Sequence, residues 1–145
     1  MLRVEETFTV ARSPEAVFDY LTDPAHLAEW QTSKTSVEPL TDGPMRQGSR
    51  VRERTKPPMG PEFEQVVEFT EFDRPNRVHT HIVEGPQPID GTWTFEPAED
   101  GGTRVHFVAE GELRGPMRLI TPLVAPMLRR QFAAYHANLR RYLED

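Results

Sequence analysis

Two carboxylates stand where burying a charge costs most. Glu6 falls in the apolar phase of a stretch in which Leu2, Val4, Phe8 and Val10 alternate with polar residues, and Glu53 falls in the same phase as Val51 and Thr55 in a second alternating stretch. An inward carboxylate is costly unless it is paired, hydrated or protonated, so each argues for water or a polar ligand group in the interior. As a carboxylate, Glu53 accepts a ligand hydroxyl. With a raised pKa it becomes a general acid or base. Glu53, Tyr135 and Glu6 are the proton-transfer candidates if the chain is an enzyme, and no lysine or arginine falls in the inward phase as a partner for the carboxylates. The competing expectation is a strand end or a bulge that turns Glu6 or Glu53 to solvent.

Other chemistries find little support in the residue pattern. There is no cysteine, which excludes disulfides, thiolate catalysis and Cys-based zinc sites. His79 and His81 share a strand face but are too few for a metal site, and His81 is expected to pair with Glu68 on the solvated face. No metal and no cofactor is expected. The stripe Arg50, Arg52 and Arg54 faces Glu64 and Glu68 and reads as an ion-pair ladder rather than a phosphate-binding surface. A net charge of -6 likewise argues against a nucleic-acid partner. Nucleophile turns, phosphate-cradling glycine loops and dinucleotide fingerprints are missing.

The elements that must position these groups follow from periodicity and turn chemistry. After the first strand, Ser13-Pro14 and Asp23-Pro24 each combine an N-cap with proline at the first helical position, predicting short helices over Glu15–Leu21 and up to Trp30. Trp30 is expected to seal this helical insert against the sheet. Strands are predicted at 35–40, 50–55, 62–72, 77–84, 90–96 and 103–113. The run from Pro122 to Leu143 predicts one long amphipathic helix of about six turns, with Val124, Leu128, Phe132, Tyr135, Leu139, Tyr142 and Leu143 inward. Pro126 predicts a bend or restart.

Hairpin symmetry sets the expected registers. Centring the Pro57–Pro61 loop on Met59 pairs Val51 with Val67, Glu53 with Gln65 and Thr55 with Phe63 on one face. Carried onward, the same face takes Phe69 with Thr80, Ile82 with Val67, Trp93 with Phe107 and Phe95 with Val105. The Glu99-Asp100-Gly101 tip suits a three-residue turn with a left-handed glycine. The fold class is therefore α+β, a curved antiparallel sheet of about six or seven strands around a long C-terminal helix, with two short helices after the first strand. Residues 1–145 form one domain.

The run Ser13-Pro14-Glu15-Ala16-Val17-Phe18-Asp19-Tyr20-Leu21-Thr22-Asp23-Pro24, ending at Trp30, resembles the opening of the START/Bet v 1-like (SRPBCC) helix-grip superfamily, in its polyketide cyclase/dehydrase and lipid transport branch. Gly91-Thr92-Trp93-Thr94-Phe95-Glu96-Pro97 and Gly102-Thr103-Arg104-Val105 are similar to the same branch. The resemblance implies a cavity between sheet and helix. The inward residues then name its expected lining: Glu53, Gln65, Phe69, Thr80, Ile82, Trp93 and Phe107 from the sheet, and Met127, Gln131, Phe132 and Tyr135 from the helix. Apolar walls with a few polar groups suit a hydrophobic small molecule, a lipid or a polyketide-like aromatic. The alternatives are a cyclase or dehydratase working through the cavity carboxylates and Tyr135, and a protein-interaction domain using the basic outer helix face. With no apolar run long enough to span a bilayer and a strand-like beginning at Met1–Glu6, the chain is expected to be cytoplasmic, as a monomer or homodimer.

Overall fold

The alternating stretches pair into a seven-stranded antiparallel sheet in the computed structural model, which describes all 145 residues. The strands are β1 (Leu2–Val10), β2 (Lys34–Pro39), β3 (Arg50–Thr55), β4 (Phe63–Asp73), β5 (Arg77–Glu84), β6 (Asp90–Pro97) and β7 (Thr103–Gly111). Their order across the sheet is β1-β7-β6-β5-β4-β3-β2, so β2 to β7 run as a meander and β7 returns beside β1. The expected registers hold: Val51 faces Val67, Glu53 faces Gln65, Phe69 faces Thr80, Ile82 faces Val67, Trp93 faces Phe107 and Phe95 faces Val105. At the β6–β7 tip Gly101 takes φ 76°, the left-handed conformation the turn demands.

The outer face of the sheet is an ion-pair ladder. Arg50 meets Glu68 at 2.8 Å, Arg52 meets Glu38 at 2.8 Å and Arg54 meets Glu62 at 3.2 Å. These groups are largely exposed, so each pair contributes about 0–1 kcal/mol and serves mainly to keep the face soluble and in register. The expected His81–Glu68 pair does not form. Glu68 is taken by Arg50, and His81 instead meets Asp90 at 2.8 Å, with His79 3.4 Å from the other oxygen of the same carboxylate.

Three helices cover the inner face. In α1 (Pro14–Thr22) the Ser13 hydroxyl caps the amide of Ala16 and the helix buries Val17, Phe18 and Leu21; Asp23 then caps a 3-10 turn that leads into α2 (Leu27–Trp30). Another 3-10 turn, Gly115–Ile120, opens α3 (Thr121–Glu144). Contrary to the expected restart, α3 runs without interruption through Pro126, whose missing amide falls early in the helix on an exposed turn. The inward stripe is Tyr135, His136, Leu139 and Leu143, while Tyr142, expected inward, is half exposed and stacks near Tyr20. No helix is long and apolar enough to cross a membrane.

Glu6 does face inward, and its partner is a residue that a count of apolar periodicity passes over. His136, 1% exposed, lies 2.6 Å from the Glu6 carboxylate through Nδ1 and 3.1 Å from the Trp93 indole through Nε2. An indole N–H only donates, so Nε2 must be the bare nitrogen and Nδ1–H donates to Glu6. Phe8 stacks on the imidazole at 4.5 Å and Phe107 meets it edge-on at 4.9 Å. Replacing His136 with Ala removes both bonds and opens a cavity among these rings. A loss of about 2–4 kcal/mol is expected in urea unfolding with an unchanged m-value, and a loss below about 0.5 kcal/mol would show that the bonded line does not anchor the helix.

Candidate functional site

Between the concave face of the sheet, α2 and the middle of α3 lies a pocket of about 190 Å³, partly open to solvent. Strand pleating places its walls. Alternate residues of paired strands point the same way, so Val51, Glu53 and Thr55 on β3 join Phe63, Gln65, Val67 and Phe69 on β4, then Thr80 and Ile82 on β5 and Gly91 and Trp93 on β6. The helix adds Leu128, Gln131, Phe132 and Tyr135. Trp30 closes the α2 side, edge-on to Trp93 and to Tyr135, so it seals the insert and also lines the pocket. Gly91 is glycine for a steric reason: a Cβ there would stand 3.0 Å from ring carbons of Trp93.

Of the residues expected to line a cavity, Glu53, Gln65, Phe69, Thr80, Ile82, Trp93, Gln131, Phe132 and Tyr135 do line this pocket, and three of the named candidates lie elsewhere. Phe107 is wholly buried behind the wall, 4.5 Å from the Phe132 ring and 4.9 Å from that of Trp93. Met127 is 50% exposed, because one step from Leu128 rotates a side chain by about 100° around the helix. Glu6 is engaged with His136 and does not reach the pocket, which removes it from any reaction there.

Glu53 is paired after all. Its Oε1 lies 3.1 Å from Nζ of Lys34 and accepts from Gln65 Nε2 at 3.0 Å, while Lys34 also donates to Thr55 Oγ1 at 3.0 Å. The two charged side chains are only 8% and 9% exposed. Lys34 escaped the sequence reading because of a register shift between Lys34 and Ser36: Lys34 pairs with the inward Thr55, whereas simple alternation back from Val37 puts Thr35 inward. The readable signal was the need itself, since a buried carboxylate requires a cation or donors. Tyr135 exchanges a hydrogen bond with the Ser33 hydroxyl, and burial, reinforced by the nearby Glu53 charge, pushes its phenol above the ordinary tyrosine range. No group of three His, Asp or Glu is arranged to hold a metal ion.

Residues 1–144 match the sequence model of the family described as polyketide cyclase/dehydrase and lipid transport. Among solved structures, the protein TTHA0849 from Thermus thermophilus is 26% identical over 97% of this chain and 96% of its own, with a TM-score of 0.82. A START superfamily protein from Mycobacterium smegmatis superposes with a TM-score of 0.83 at 15% identity, over 98% of this chain and 97% of its own. A conserved protein from Geobacillus kaustophilus does so with a TM-score of 0.80 at 14% identity, over 99% and 95%. At such identities the last two speak to the fold alone. No protein of curated function matches the chain.

The Tyr135 environment gives a titration test. Its folded pKa lies above the unfolded value near 10, so the neutral phenol's contribution to stability is full below about pH 10 and is lost as pH rises through the folded value. In an alkaline titration followed by tyrosinate absorbance, Tyr135→Phe should delete a phenol that ionises later than free tyrosine. Deletion of an early-ionising phenol would contradict the buried environment.

Proposed function

The chain belongs to the polyketide cyclase/dehydrase and lipid transport family, and we propose that its pocket binds a small, mostly apolar molecule for carriage or sensing. The observation that carries this reading is a buried polar cluster, Lys34, Glu53, Gln65 and Thr55, set into walls of Val51, Phe69, Trp93, Ile82 and Phe132. Apolar area supplies affinity and the few polar groups supply orientation.

Volume narrows the ligand class. Cavities near 150 Å³ accept benzene, whereas drug-sized ligands occupy about 300–1,000 Å³. At about 190 Å³ the pocket suits a compound of roughly one or two rings. A long acyl chain requires more room, so a small aromatic or alicyclic ligand fits better than a whole lipid. Binding is favoured over turnover because Glu53 is ion-paired with Lys34 and bonded to Gln65 through one oxygen, and the Tyr135 phenol already exchanges a hydrogen bond with Ser33.

The direct test is native mass spectrometry of protein purified from its own host, followed by organic extraction. The expected result is a non-covalent adduct of a single small neutral compound that is recovered in the extract and lost from a Phe69→Trp variant, which fills the pocket. Protein that is empty, and stays empty when mixed with host extract, would reject the binding role.

A further inference from the structure

The pocket's polar end has a donor and an acceptor to spare, side by side. An ammonium carries three N–H donors; Lys34 donates one to Thr55 Oγ1 and stands as an ion pair 3.1 Å from Glu53 Oε1, which leaves at least one N–H without an acceptor. Glu53 receives Lys34 and Gln65 on the same oxygen, Oε1, so Oε2 has no partner. It is not sealed off either: the one fully buried side-chain polar atom without a partner is Nε1 of Trp30. Both Lys34 and Glu53 line the pocket.

From this we infer that the ligand carries a neutral hydroxyl group, which donates to Glu53 Oε2 and accepts from the free N–H of Lys34. The inference rests on the reading of the pocket as a ligand site and specifies its chemistry. A hydroxyl is the smallest group that is donor and acceptor at one atom, so it satisfies both spare valences at once. Charged ligands are excluded by balance. Lys34 and Glu53 already cancel, and an added carboxylate or ammonium would be a buried charge with no counter-ion of its own. The other carboxylates lining the pocket, Asp23 and Asp90, add negative charge, which further disfavours an anion, and neither is a free counter-ion for a cation: Asp23 caps the amide of Ala25 and lies 3.7 Å from His26, and Asp90 is held by His81 and His79. A ligand without the hydroxyl leaves the two groups desolvated and unpaired, the situation in which polar sites discriminate most strongly.

Four isosteric probes test this on the intact chain: 2-naphthol, naphthalene, 2-naphthoate and 2-naphthylmethylammonium, with affinity followed by quenching of Trp30 and Trp93 and by calorimetry. 2-Naphthol is expected to bind at least about tenfold more tightly than each of the others. In a variant combining Lys34→Met with Glu53→Leu, an apolar replacement of the ion pair that such sites usually tolerate, the preference for 2-naphthol over naphthalene should fall to about one while naphthalene still binds. Naphthalene, naphthoate or the ammonium binding as tightly as 2-naphthol to the native chain would overturn the hydroxyl assignment and leave the pocket intact as a ligand site. Binding of none of the four would overturn both. The comparison among probes on the native chain decides the matter even where the double variant fails to fold, which circular dichroism would report.

Discussion

One bonded line, from Glu6 through His136 to Trp93, joins the first strand, the last helix and the wall of the pocket. Its ends are fixed by backbone. Glu6 sits in β1 opposite Phe107 of β7, and Trp93 sits in β6 opposite the same Phe107, so a single sheet residue stands between the two groups that hold the imidazole. A helix anchored in this way cannot slide or rotate without unpairing buried groups. Because Tyr135 is the neighbour of His136, holding the imidazole also fixes where the phenol meets Ser33 and how far α3 stands from the sheet. The pocket is the space left when that distance is set. Only four residues of α3, from Leu128 to Tyr135, reach it, while earlier positions such as Leu119 and Leu123 remain exposed.

The two interior carboxylates therefore do different work. Glu6 lies behind the wall, with a neutral imidazole as its donor and a partly exposed edge, and serves the architecture. Glu53 lies within the wall, matched by a lysine whose side chain is equally buried, and this pair faces the space a ligand would fill. A buried ion pair is a poor device for stability, since apolar residues of similar volume often do as well or better. Its value at this position is the pair of hydrogen-bonding groups it holds beside the apolar walls of Val51, Phe69, Trp93 and Phe132.

Much of this was legible from residue order. Period-2 alternation and the symmetry about Met59 and the Glu99–Gly101 tip gave the correct pairings of Glu53 with Gln65 and Trp93 with Phe107, because a one-residue slip would have placed apolar residues on the solvated face. The N-caps at Ser13 and Asp23 were equally plain. What stayed hidden is polar and buried. His136 continues the helix stripe at i+4 from Phe132, but a polar residue does not register in a search for apolar periodicity. Lys34 depends on a bulge in β2 that no local residue announces. The helix side chains misplaced from the sequence, Met127 and Tyr142, stand at the edges of the helix stripe, where about 100° per residue separates wall from solvent.

In the proposed complex the ligand sits between Lys34, Glu53 and Trp93 with its hydroxyl at the ion pair. Amide and side-chain NMR of the isotope-labelled chain titrated with 2-naphthol tests it most directly. Saturable shifts are expected to concentrate at the Lys34 ammonium, the Gln65 amide and the Trp93 indole, with an intermolecular Overhauser contact between naphthol ring protons and the methyl groups of Val51 or Ile82. Shifts centred instead on the exposed residues around the start of α3, such as Leu119 and Leu123, with the pocket resonances unmoved, would contradict it.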